Sequence, residues 1–220
     1  MTKDQISRRL FIGSGAVLAA SATASATGAG AQGGVTPPQT SGPFYPTNPQ
    51  EDLDADLIRV AGRTAIAKGD ALIVEGVVQD AKGAPIAGAL VDVWQANAAG
   101  RYAHEKDPNT APLDHNFQGW AKVVTNADGR YRFKTIKPGA YPAEAGWSRP
   151  PHIHFTVSKT GFRPVTTQMY FEGEALNGID RILLAMTEAE RALLTSKYEE
   201  VSGDADTKRL CRFNVTLAAV

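Results

Sequence analysis

The sequence predicts an all-β domain, an antiparallel β-sandwich with long loops and one short C-terminal helix. Three observations carry this: β-branched and apolar runs recur at short intervals from Ala71 onward, Gly, Pro, Asn and Asp turn signals separate them, and helical spacing occurs once, late in the chain. No internal repeat is present.

Residues 32–50 are rich in Gly, Pro, Thr and Gln and read as a loose linker leading into Ser41-Gly42-Pro43-Phe44-Tyr45-Pro46. Ala71 to Asp80 is the first strand, Lys82-Gly83 a turn, and Ala89 to Gln95 the second strand, so the pair is expected to form a hairpin. Gly100 to Gln118, with Asp107-Pro108-Asn109 and Pro112, is a loop long enough to be functional. A strand over Gly119 to Thr125, the Asn126-Ala127-Asp128-Gly129 turn and the alternating run Arg130 to Lys134 come next, with Tyr131 as a packed strand residue. Lys137-Pro138-Gly139 makes another turn. His152 to Lys159 and Thr166 to Phe171 complete the central strands, and Glu172 and Glu174 are expected to face solvent. Thr187 to Glu200 has helical spacing through Ala189, Leu193, Leu194 and Tyr198, and Thr187-Glu188-Ala189-Glu190 fits a capping box. Leu210 to Ala218 is the last strand, in which Cys211 reads as a small buried hydrophobe.

The chain has 220 residues, of which 43% are hydrophobic and 21% charged, ordinary globular usage that leaves room for one substantial core. Lysines and arginines balance aspartates and glutamates at 23 each, and no basic stripe interleaves with aromatics, which excludes nucleic acid as the main partner and favours a small molecule. Residues 1–31 resemble a twin-arginine export signal: Ser7-Arg8-Arg9-Leu10-Phe11, an apolar small-residue stretch, then Ala29-Gly30-Ala31 as a cleavage site. The expected location is the periplasm or the exterior, with no stable membrane span in the mature form. Removing residues 1–31 takes away three basic residues and one acidic one, leaving 20 against 22. A single cysteine forms no internal disulfide, so the exported chain would do without one. Residues 32–70 then form an N-terminal linker and arm, and residues 71–220 the β-sandwich domain.

The chemistry concentrates in four rings. His152 and His154 are spaced i, i+2, so on a strand they share one face and reach a single ion, while Ile153 turns into apolar packing. Tyr102 and Tyr141 lie upstream at turn-like positions. A phenol of pKa about 10 yields its proton near neutral pH only to a hard, highly charged cation such as Fe(III), and two phenolates with a hydroxide would neutralise a 3+ ion. A zinc hydrolase or Fe(II) extradiol oxygenase would want three histidines, or two with a carboxylate, and no phenolate. His104 and His115, in the long loop, are expected at the surface or lining a pocket rather than in a second metal site.

Six segments in order resemble the intradiol ring-cleavage dioxygenases, and specifically the protocatechuate 3,4-dioxygenase type of subunit: Ser41 to Tyr45; Val91 to Asn97 leading to Gly100-Arg101-Tyr102; Asp128 to Tyr131; Pro138 to Pro142; Arg149-Pro150-Pro151-His152-Ile153-His154-Phe155; and Thr167 to Phe171. The resemblance implies a prealbumin- or immunoglobulin-like sandwich holding a non-haem Fe(III) on Tyr102, Tyr141, His152 and His154, with Tyr102 and His152 equatorial and Tyr141 and His154 axial. It implies cleavage of a catechol-type aromatic diol by O2 between the hydroxylated carbons, giving a cis,cis-muconate-type diacid. Tyr141 would double as a base, Arg149 would stabilise charge on the ring, and Gly42, Pro43, Arg149 and Gln168 would contact substrate. Ala143, Glu144 and Ala145 depart from the bulkier residues common in that family, which leaves catechol, protocatechuate, hydroxyquinol or a larger diol open. Residues 32–70 are too short for the helical dimerisation domain of the catechol 1,2-dioxygenase type. A homo-oligomer or a second subunit both stay open, although all four ligands lie in this chain. The non-enzyme alternative is a secreted β-sandwich binding module.

Overall fold

The computed structural model describes residues 34–48, 50, 52–202 and 205–220, so the export signal expected over residues 1–31 lies outside the described residues. In chain order the strands are β1 (Ala71–Asp80), β2 (Leu90–Trp94), β3 (Trp120–Val124), β4 (Arg130–Ile136), β5 (Tyr141–Glu144), β6 (Trp147–Arg149), β7 (His152–Ser158) and β8 (Val165–Phe171). A 3-10 turn (Ala175–Gly178), α1 (Arg181–Leu184) and α2 (Glu188–Leu194) follow, then β9 (Thr195–Ser196), β10 (Tyr198–Glu200), β11 (Arg209–Arg212) and β12 (Val215–Leu217). Strand therefore dominates and helices are few. One five-stranded sheet runs β10-β11-β1-β12 with β4 paired to β1, a second runs β3-β2-β7-β8-β9, and β5 and β6 form a separate two-stranded ribbon.

The apolar sides of both five-stranded sheets meet in one core. Leu72 and Val74 of β1, Phe133 of β4, Val91 and Val93 of β2, and Ile153, Phe155 and Val157 of β7 all belong to it. The Phe155 ring lies 6.1 Å from that of Phe133 and 4.9 Å from that of Phe213. Burying one such side chain contributes about 1.5–3 kcal/mol. Leu57 and Ile58, upstream of β1, join the same core. Tyr131 is buried among these residues as expected, and Cys211 is fully buried beside them.

Four expectations about the strands and the late helix give way. The β1–β2 hairpin does not form: β1 pairs with β4, and β2 with β3 and β7. The Asp80 carboxylate does close the Lys82-Gly83 turn, accepting from Lys82 and Ala84 N–H at 2.8 and 2.9 Å. Only a bridge between Gln79 and Pro85 follows, because Pro85 has no N–H to continue a ladder, and the chain crosses to the other sheet, where the buried Leu90–Trp94 run takes a central place. Pairing is also not wholly antiparallel, since β1 runs parallel to β11 and β12, and β8 to β9. The late helix starts where expected, with the full capping box between Thr187 and Glu190, but ends at Leu194 because Thr195–Ser196 and Tyr198–Glu200 are drawn into the sheets. The last strand is split at Phe213-Asn214. There the Phe213 carbonyl occupies the space a Cβ on Gly76 would need, 1.9 Å from it, and the Asn214 side chain accepts from Val77 N–H at 2.9 Å.

The stretch read as a loose linker is bound closely. Thr36 N–H donates to the Thr216 carbonyl at 3.0 Å and Gln39 N–H to the Thr166 carbonyl at 2.8 Å, while the Pro37 carbonyl accepts from the Thr167 hydroxyl at 2.8 Å. Glu172 is exposed as expected, whereas Glu174 is half-buried against Lys137.

Candidate active site

β7 sets up the site by simple alternation. Ile153, Phe155 and Val157 enter the core, which leaves His152 and His154 side by side on the other face with rings 4.9 Å apart. Both imidazoles are buried. His152 Nδ1 lies 2.7 Å from the Pro150 carbonyl, and since a carbonyl only accepts, Nδ1 carries the proton and Nε2 is left as a free lone pair. Trp94, at the end of β2, stacks flat on His154 at 4.9 Å and 4°.

The tyrosines arrive on two loops that touch back to back. Gly100, at φ 77°, approaches so closely that a Cβ would stand 2.2 Å from the Ala140 carbonyl oxygen, and Gly139 is as tight against Ala98. That contact brings Tyr102, just past Gly100, to a ring separation of 5.5 Å from Tyr141. Asp107 fixes Tyr102 by accepting its backbone N–H at 2.7 Å. Tyr141 lies 5.6 Å from His152, and Tyr102 lies 6.2 Å from His154, centroid to centroid, so the four rings close on one another. Tyr141 is the first residue of β5 rather than a turn residue, and its cross-strand partner on β6 is Arg149.

Three polar atoms in this ring cluster are buried without hydrogen-bond partners: Tyr102 Oη, His152 Nε2 and His154 Nδ1. Leaving one such atom unpaired costs about 1–3 kcal/mol, so a cluster of three marks a missing partner. Burial holds both imidazoles neutral, His154 down at about 3 and His152 well below its usual range, with the Arg149 charge adding to each. Burial pushes the phenols of Tyr102 and Tyr141 above their usual range, so the charge needed to deprotonate them must come from a cation. Two neutral imidazoles and two phenols fit a hard trivalent metal. No group of three or more His, Cys, Asp or Glu that could hold an ion occurs among the described residues, and His115 is exposed in its loop.

Of the remaining expected site residues, Gly42 and Gln168 adjoin the same rings. Gly42, at φ 64°, sits against the His154 ring, where an added Cβ would be 3.4 Å from Cε1. Pro43 follows it at the surface. Gln168 is the cross-strand partner of His154 on β8, and its side-chain oxygen accepts from Arg149 Nη2 at 2.7 Å. Ala143, Glu144 and Ala145 form the exposed tip of the β5–β6 ribbon. Three further residues escaped the sequence reading. Phe44 covers both tyrosines at 5.0 and 6.3 Å and approaches His104 at 5.8 Å. Trp94 backs His154. Tyr170, which shares a strand face with Gln168, takes a 3.0 Å bond from Arg149. The i, i+2 spacing of Gln168 and Tyr170 was the available signal for the last of these.

A sequence profile described as a dioxygenase matches residues 40–219. Over 160 residues the chain is 45% identical to a protocatechuate 3,4-dioxygenase beta chain of Burkholderia cepacia, covering 71% of this chain and 68% of that one. The chain belongs to the intradiol ring-cleavage dioxygenases. A catechol 1,2-dioxygenase of Acinetobacter lwoffii is 35% identical over 163 residues, 68% of this chain but 51% of the relative, so this family member spans about half that relative's length. Among solved structures, a 3-chlorocatechol 1,2-dioxygenase from Rhodococcus opacus 1CP superposes with a TM-score of 0.66 at 28% identity, covering 84% of this chain and 73% of the other.

Proposed function

We propose that this chain is a non-haem Fe(III) dioxygenase that cleaves a catechol-type aromatic diol with O2 between its two hydroxylated carbons, yielding a cis,cis-muconate-type diacid. The observation that carries the proposal is the convergence of Tyr102, Tyr141, His152 and His154 with three buried polar atoms among them lacking partners. These four residues would hold the ion. When bound, Fe(III) supplies Lewis acidity that lowers phenol pKa values in ligand and substrate alike.

The chain's own residues do the rest. Tyr141 Oη, beside Arg149, is the base that takes a proton from the diol as it docks. Arg149, buried at 3% exposure, presents a fixed positive charge to the ring as negative charge develops there, a form of stabilisation worth on the order of 10²–10³ in rate. Gln168 and the Gly42-Pro43 segment contact substrate, and Phe44 and Trp94 exclude water from the tyrosine and histidine faces. In the same reading the two five-stranded sheets face each other as a sandwich, residues 1–31 are a twin-arginine-type signal, residues 32–70 the arm and 71–220 the catalytic domain. The mature chain works in the periplasm or outside the cell, and since all four ion-holding residues lie within it, the site is complete without a residue from a second subunit.

The test joins colour to turnover. Iron-loaded protein should show broad visible absorption from iron-bound tyrosinate, Tyr141→Phe should shift or bleach it, and O2 uptake should follow addition of catechol, protocatechuate or hydroxyquinol. A colourless iron-loaded protein inert to all three would return the chain to a binding-module reading. N-terminal sequencing of the exported protein checks cleavage after Ala31.

A further inference from the structure

Asp180 belongs to no motif and lies 31 residues from Arg149 in sequence, yet it is fully buried beneath it. Its carboxylate divides its two oxygens. Oδ2 accepts from Arg149 Nε at 2.6 Å, and Oδ1 accepts from Leu183 N–H at 2.7 Å, capping α1. The segment that delivers it is anchored at the far end of β8, where the Asn177 side chain donates to the Phe171 carbonyl at 2.8 Å. On its other side Arg149 Nη2 donates to Gln168 Oε1 and to Tyr170 Oη, and Tyr170 passes its own proton to Gln39 Oε1 at 3.0 Å. Nη1 is the guanidinium nitrogen that none of these partners holds, and Tyr141 is the further side chain the guanidinium approaches.

A helix cap needs only an acceptor, and Asn serves as well as Asp. A carboxylate at zero exposure is costly unless a cation matches it. The charge at position 180 is therefore explained by Arg149 and not by α1. A guanidinium is planar, so fixing Nε on one edge and Nη2 on another fixes the plane and the direction of the third nitrogen.

Resting on the reading of Arg149 as the charge that faces the ring, we propose that Asp180 is a positioning residue that aims the Arg149 guanidinium at the substrate. Partners one shell out from a reacting centre characteristically cost about 10–100-fold in activity when removed, and that is the fall in kcat expected for Asp180→Asn, which keeps the cap and the shape. KM for the diol should change less than about threefold, because Asp180 touches no substrate and its loss removes an interaction felt in the transition state.

The experiment is a double-mutant cycle on the iron-loaded full chain, with Arg149→Gln as the second arm, and a spectroscopic arm on the full chain loaded with diamagnetic Ga(III). In the unaltered protein the Arg149 Nε–H proton, assigned by its loss in Arg149→Lys, should resonate downfield and exchange slowly. Asp180→Asn should abolish that protection and lower kcat, with no further loss in the Arg149→Gln background. Full kcat in Asp180→Asn, a rapidly exchanging Nε–H in the unaltered protein, or an additive loss in the Arg149→Gln background would each overturn the proposal. Should Asp180→Asn not fold, Asp180→Glu decides: its extra methylene must disturb the same resonance and kcat, and normal behaviour in both counts against the role. An unaltered protein that turns over no diol would sink the catalytic reading, while the Nε–H measurement would still report separately whether Asp180 holds Arg149.

Discussion

Gly100→Ala is the most informative single methyl that can be added to this molecule. Two costs fall on it. The residue sits at φ 77°, where an L side chain is strained by about 1–2 kcal/mol. Its new Cβ would also stand 2.2 Å from the Ala140 oxygen and 3.3 Å from Tyr141 Cβ, whereas carbon and carbonyl oxygen in contact keep about 3.3–3.6 Å. One loop must therefore retreat by about 1 Å, and forced shifts of that kind cost about 1–3 kcal/mol. The retreat is opposed, because Asn109 donates to the Gly100 carbonyl at 2.9 Å and Asp107 holds Tyr102 N–H. Gly146→Ala is the control: it has a matching φ of 75° but nothing within 4 Å of the new methyl. Urea unfolding should give a loss of about 2–5 kcal/mol for Gly100→Ala against about 1–2 kcal/mol for Gly146→Ala. The tyrosine rings would also be displaced, so the visible band of the iron-loaded protein should weaken in the first variant alone. Equal losses in both variants, with equal colour, would refute the idea that the Gly100–Ala140 contact sets the tyrosine geometry.

Two further outcomes follow from burial. His152 and His154 are held neutral in the fold with their pKa values depressed, so in metal-free protein the unfolded chain binds protons that the folded one refuses. Stability should then be flat above about pH 6.5 and fall below it by up to about 1.4 kcal/mol per pH unit per histidine; urea midpoints at pH 7, 6 and 5 check this, and a flat series contradicts it. Burial pushes the Cys211 thiol up to about 12, so its contribution to stability is complete below the ordinary thiol range of about 8.5 and is lost as pH climbs toward the folded value. At pH 8 a disulfide reagent should label it only in urea, and prompt labelling of the native protein would show that the β11 packing is open.

What the residues disclose depends on how local the cause is. The histidine pair was legible because a strand has period two, and Ile153 and Phe155 entering the core force His152 and His154 outward whatever the rest of the chain does. The capping box at Thr187 was legible for the same reason, being closed within four residues. The length of that helix was not. Leu194 to Glu200 carries acceptable helical spacing, but Thr195–Ser196 pair with β8 and Tyr198–Glu200 with β11, pairings that the local helical pattern does not reveal. The β5–β6 ribbon escaped because Pro142, Ala143, Glu144 and Ala145 have little intrinsic strand preference, so Tyr141 read as a turn residue although it faces Arg149 across two strands.

The same distinction separates the two halves of the site. The four converging rings announce themselves, since phenols and imidazoles are rare enough that their order along the chain already restricts the chemistry. The group that aims the charge does not, because Asp is common and its meaning here comes from a pocket assembled by β6, β8 and the turn before α1. Arg149 is buried with Asp180 on one edge and Gln168 and Tyr170 on another, and a buried guanidinium that lost its carboxylate would leave an uncompensated charge, a penalty of about 3–5 kcal/mol. Such a penalty keeps the arginine from relaxing toward solvent when the site is empty. Its direction is thus fixed before any diol arrives, and preorganisation of that kind lets a charge act on a developing transition state without first having to be turned toward it.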